Sequence, residues 1–80
     1  MFRMVVKTDA LEVGDHTYPV TYFELRTQRG SRRYSAEIRL GPDDRIILDD
    51  DSVTNLEART ARLVPATLYS RMLAGKATAA

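Results

Sequence analysis

The chain of 80 residues has no cysteine and no tryptophan, and a single histidine, His16. Without cysteine there are no disulfides, no thiolate-bound zinc, no iron–sulfur cluster and no thiol nucleophile. No run approaches the roughly 18 apolar residues that a membrane-crossing helix needs, so no membrane partner is expected. An excess of one charge is missing too: 12 Lys and Arg stand against 11 Asp and Glu, for a net charge of +1. Near-neutral charge with 44% hydrophobic residues excludes global disorder, which combines low hydrophobicity with high net charge. Lysine is scarce, with two Lys to ten Arg. Biased codon usage is the simpler account of that imbalance.

What remains is one small domain. A chain of this length buries only about 60–65% of the surface that its unfolded state exposes. Small domains without disulfides or metal often add stability by packing against a copy of themselves, so a homo-oligomer, a dimer first, is expected. Lys7 and Asp9 interrupt the opening apolar residues before they reach the length of a secretory signal. The expected location is cytoplasmic.

Phe2, Met4 and Val6 alternate with Arg3, Val5 and Lys7, the period of a half-buried strand. A bulge or break is expected at Asp9-Ala10, and a tight turn at Gly14-Asp15-His16. Thr17 to Thr27 is rich in β-branched and aromatic residues. It places Thr21, Phe23 and Leu25 on one face and Tyr22, Glu24 and Arg26 on the other. Pro19, which has no amide hydrogen to donate, belongs at the strand's start or on an edge. Residues 28–32 read as a hairpin loop, and Arg33 to Leu40 is the cleanest amphipathic strand, with Tyr34, Ala36, Ile38 and Leu40 on one side. Gly41-Pro42-Asp43-Asp44 is a turn signal, and Arg45 to Leu48 a short strand that ends at Asp49.

Ser52 suits a helix N-cap, with Thr54 and Glu57 offering a second register. Val53, Leu56, Thr60, Leu63 and Val64 recur at helical spacing. Pro65 kinks this helix or starts a second one, in which Leu68, Tyr69, Met72 and Leu73 form the apolar face and Gly75 the stop. The expected fold is therefore α+β. It is a small antiparallel meander of three or four strands, followed by a Pro-kinked C-terminal helix, or two short helices, packed on one face. Residues 1–75 form the single domain and 76–80 a frayed tail.

Two charged clusters stand out. Residues 26–39 sum to +4, with Arg26, Arg29, Arg32 and Arg33 at a hairpin that suits nucleic-acid phosphates. The plainer reading pairs these arginines with Glu24 and Glu37 across the strands, and it carries more weight. Asp43, Asp44, Asp49, Asp50 and Asp51, with Arg45, sum to −4. Their spacing lacks the glycine and alternation of a calcium loop, and acidic residues ahead of a helix are explained by its dipole. No metal or cofactor is expected. The acidic cluster would repel the phosphates that the basic one attracts. Copies pairing basic hairpin to acidic loop are thus a second route to self-association.

Catalytic constellations are lacking. His16 has no orienting partner beyond Asp15, the serines have no nucleophile elbow, and no phosphate-cradling glycine loop is present. Glu24 and Glu37 facing each other across a hairpin would still lack a cleft. Tyr69, Met72 and Leu73 are residue types suited to interfaces, on a helix with more apolar surface than a small sheet hides. The leading expectation is a non-enzymatic cytoplasmic interaction module that self-associates through these residues. The alternative is a nucleic-acid-binding protein or small regulator that uses Arg26, Arg29, Arg32 and Arg33.

Overall fold

A computed structural model describes residues 2–79, with side chains from Arg3 to Gly75. Four strands, β1 (Phe2–Val13), β2 (His16–Arg26), β3 (Arg32–Gly41) and β4 (Asp44–Asp50), precede one helix, α1 (Val53–Ala79). The strands form a single antiparallel sheet in the order β1-β2-β3-β4. This is the α+β meander that the alternating strand patterns imply.

Turn chemistry sets the register. Val13 pairs with His16 across the two-residue turn Gly14-Asp15, and Gly14 has φ +61° while Asp15 stays at negative φ. Positive φ at the first central residue alone is the II′ arrangement, whose twist matches that of the strands. His16 thus opens β2 rather than sitting in the turn, its ring tilted against Tyr18. Pro19 pairs with Ala10 on β1 but lies beyond Val20, the last β2 residue with a β3 partner. Its missing amide hydrogen therefore costs no ladder bond on that side.

β1 departs from expectation in two ways. It runs unbroken through Asp9-Ala10 and instead carries a bulge at Val6, where the register moves from Val5↔Phe23 to Lys7↔Tyr22. Met4, Val5 and Val6 are all exposed, because β1 is an edge strand that α1 does not cover.

The core lies between the middle strands and the helix. Val20 and Tyr22 of β2, Ala36 and Ile38 of β3, and Leu56 and Val64 of α1 are buried together. Leu40, Ile46, Leu48, Val53 and Leu68 pack around them. α1 runs along β3 and β4, held by Arg59 on Asp50 at one end of β4 and by Arg71 on Asp44 at the other. Its first turns also reach across to β1, where Lys7 Nζ lies 3.3 Å from Glu57. The Ser52 hydroxyl accepts from the Asn55 amide at 3.1 Å, the cap that its position implies.

Pro65 does not divide the helix, which is one continuous element with Pro65 inside it. Proline there deprives the Ala61 carbonyl of its helical donor. Both residues are exposed, the setting in which water can take the place of a missing backbone donor. Gly75 likewise does not end the helix, and residues 76–79 continue it.

Candidate functional site

The two charged clusters prove to be neighbours. Arg26 Nε donates to Glu24 Oε1 at 3.3 Å, and Arg32 Nε lies 3.5 Å from the same oxygen. Arg33 pairs with Asp51. Arg29, at the loop tip, makes no ion pair among the described residues. The register also divides the group. Arg26 and Arg32 face each other in line with Glu24 and Tyr34, on the helix side of the sheet, whereas Arg33 faces Leu25 on the other side. Three of the four hairpin arginines are therefore engaged, and the four do not form one surface.

The acidic tract is used in the same way. Asp50 lies within reach of three donors. The Asn55 side-chain amide donates to its Oδ1 at 3.1 Å, the Asp51 backbone amide at 2.6 Å, and Arg59 donates to its Oδ2 at 3.2 Å. The Asn55 bond first, then the Asp51 amide and Arg59, hold the Asp50 carboxyl below its ordinary pKa. Among the described residues no group of three or more His, Cys, Asp or Glu is arranged to hold a metal.

The sheet face away from α1 is a mixed surface. Arg3 stacks over the Phe23 ring at 3.8 Å. Glu37 lies 3.8 Å from Arg3 and 3.4 Å from Arg45. Glu24 and Glu37 do not face each other: their β2–β3 partners are Tyr34 and Thr21, which lie on opposite faces of the sheet. On the helix side, burial first and then the negative charge of Glu57 raise the Tyr22 phenol above its ordinary pKa. The Thr60 hydroxyl pulls the other way, but buried Thr60 Oγ1 makes no hydrogen bond of good geometry. It borders a recess of about 120 Å³ shared with Asp9, Tyr22 and Glu57, a volume that a few water molecules fill.

The apolar candidates stand differently. Tyr69, Met72 and Leu73 are 60%, 50% and 47% exposed, and Leu68 alone of that expected face packs on the core. At about 100° per residue, Tyr69 lies roughly 180° round the helix from buried Thr60. Ala58, Pro65 and Ala66 share this outer face and are also exposed. Compared with known protein families, curated proteins and solved structures, the chain matches none.

Proposed function

We propose that this protein is a small, non-enzymatic, cytoplasmic interaction module that associates with a second copy of itself through the outer face of α1. The observation that carries this reading is the solvent exposure of Tyr69, Met72 and Leu73 on a helix whose opposite side already fills the core. Large apolar side chains grouped on one face mark an interaction surface, and Tyr and Met are enriched at such surfaces. A domain with a core this small gains stability from covering them.

Pairing of a basic hairpin with an acidic loop has less support, because Arg33 and Asp51 already satisfy each other within one molecule. The same engagement of Arg26, Arg32 and Arg33 weakens the case for nucleic-acid binding by the hairpin, leaving Arg29 as the one of the four with no ion pair among the described residues.

Sedimentation velocity tests the proposal. The wild-type chain is expected to sediment at twice the chain mass, and Tyr69→Glu with Leu73→Glu at the monomer mass with unchanged far-UV circular dichroism. A wild-type chain that is monomeric at every concentration overturns it.

A further inference from the structure

The two margins of the sheet are not alike. β1 is irregular at Val6, whereas β4 pairs with β3 in unbroken register from Tyr34↔Asp50 to Arg39↔Arg45. No strand lies along the other edge of β4, and the strand contains no Pro and no Lys, residues that commonly blunt an edge. Arg59 reaches the Asp49 carbonyl at 2.8 Å, and a carbonyl keeps a second lone pair for another donor.

The sequence of β4 is complementary to its own reverse. About Ile47 it runs Arg45-Ile46-Ile47-Leu48-Asp49. An antiparallel copy centred on the same residue sets Ile47 opposite Ile47, Ile46 opposite Leu48, and Arg45 opposite Asp49 at both ends. A shift of two residues in either direction sets a charged residue opposite an apolar one, so the cross-strand pairs favour this register. Ile47 is 53% exposed, and the Asp49 carboxylate makes no ion pair among the described residues. Arg45 shares Glu37 with Arg3. It is exposed and has five N–H donors, enough for a second carboxylate.

The helix follows the same symmetry. Asp50 holds Arg59 and Asp44 holds Arg71. Ile47, midway between the two acids, therefore stands level with Pro65, midway between the two arginines. Leu63, Ala66, Ser70 and Leu73 lie within roughly 40° of Arg59 round the helix, and all four are exposed. This is the flank on the β4 side, whereas Glu57 on the opposite flank reaches Lys7 of β1.

We infer that two copies join edge to edge through β4, about a twofold axis through Ile47 perpendicular to the sheet. The inference rests on the self-association proposed above and names the strand that carries it. The product is an eight-stranded antiparallel sheet with both helices on one side. Strands lie about 4.8 Å apart, so two helices that each run along β3 and β4 come side by side about 10 Å apart, a packing distance for helices. Leu63 and Ala66 straddle the height of the axis and meet the same flank of the second copy, and Leu73 lies between this flank and Tyr69. Asp44 of each copy comes opposite Asp50 of the other, but each acid arrives with its own arginine. The contact is isologous and closed.

The absence of cysteine makes the contact directly testable. At the axis Ile47 faces itself with Cα atoms about 4.5–5.5 Å apart, inside the range a disulfide spans. Val5→Cys is the control, on the other margin and 54% exposed. Under mild oxidation Ile47→Cys is expected to form a covalent dimer about tenfold faster than Val5→Cys. Both positions are exposed, so circular dichroism of each variant should match wild type. As a readout without oxidation, Asp49→Arg is expected to weaken dimerisation about tenfold, and Arg45→Asp combined with Asp49→Arg to restore it. Equal cross-linking of the two cysteine variants overturns the β4 contact, as does an Asp49→Arg chain that dimerises like wild type. With wild type still at the dimer mass, either result leaves self-association through α1 standing. Wild-type sedimentation at the monomer mass removes both.

Discussion

Arg33 on β3 and Asp51 just beyond β4, 18 residues apart in sequence, form an ion pair that joins the basic hairpin to the acidic tract. The two clusters are adjacent because β3 pairs with β4 down to Tyr34↔Asp50, which carries the acidic residues back to the base of the hairpin. A molecule that looks polarised along its sequence is therefore neutralised locally in space. Exposed pairs of this type contribute little to stability, but they decide what the arginines are free to do.

The arginine hairpin gives the first prediction. Arg29→Ala, Arg32→Ala and Arg33→Ala combined should leave the sedimentation coefficient unchanged and lower stability by no more than about 1 kcal/mol per lost pair. A surface that neutralised four phosphates would lose roughly a hundredfold in affinity for mixed-sequence DNA or RNA between about 50 and 200 mM salt. Fluorescence anisotropy on the wild-type chain should show no such dependence.

Ser52→Ala removes the oxygen that accepts from the Asn55 amide. Loss of a cap of this type costs about 1 kcal/mol, which for a domain of this size lowers the thermal midpoint by roughly 4–8 °C. Ser52→Asp, which keeps an acceptor there, should restore most of the loss in the same melting experiment.

Asp50 makes stability depend on pH in a definite direction. Its pKa is lowered in the folded chain, so the folded state favours the charged form. That contribution is complete above the ordinary carboxylate pKa, and it is lost as pH falls through the lowered folded value. Urea melts of wild type and Asp50→Asn should therefore differ at neutral pH and converge toward about pH 2. A gap that widens in acid would contradict the assignment.

Gly14→Ala isolates a backbone effect. A β-carbon at this position meets nothing within 4 Å, so no clash opposes it. The φ of +61° nevertheless costs an L-residue about 1–2 kcal/mol. A loss of this size in chemical denaturation, with an unchanged m-value, is expected.

Most of the sheet was legible in the sequence because β3 alternates so strictly. Tyr34, Ala36, Ile38 and Leu40 face the core side and Arg33, Ser35, Glu37 and Arg39 the other, and a meander places the neighbouring strands around them. β1 was harder to read. Its apolar pattern lapses at Lys7-Thr8-Asp9, but the irregularity lies at Val6, and the signal was the unbroken Met4-Val5-Val6 run, which cannot alternate. Which of its residues are exposed depends on where α1 lands, and Asp44 and Asp50 fix that from 27 and 9 residues away. The surplus apolar character of Tyr69, Met72 and Leu73 was visible as composition. Tyr69 and Leu73 project away from the core because Leu56, Thr60 and Val64 occupy the buried stripe, whereas Met72, four residues beyond Leu68, continues the inner side of the helix and is 50% exposed there.

The bulge at Val6 bears on how this chain avoids the wrong kind of assembly. Both margins of the sheet, β1 and β4, offer unpaired backbone groups, and β1 is long and carries three consecutive exposed apolar side chains. An even, hydrophobic margin of that kind is a template for open-ended strand addition, the first step toward cross-β fibres. One extra residue, followed at once by Lys7, interrupts the regular spacing of donors and acceptors that an incoming strand must match. Deletion of Val6 would restore that spacing, and the deleted chain is expected to bind thioflavin T and pellet from concentrated solution where wild type remains clear.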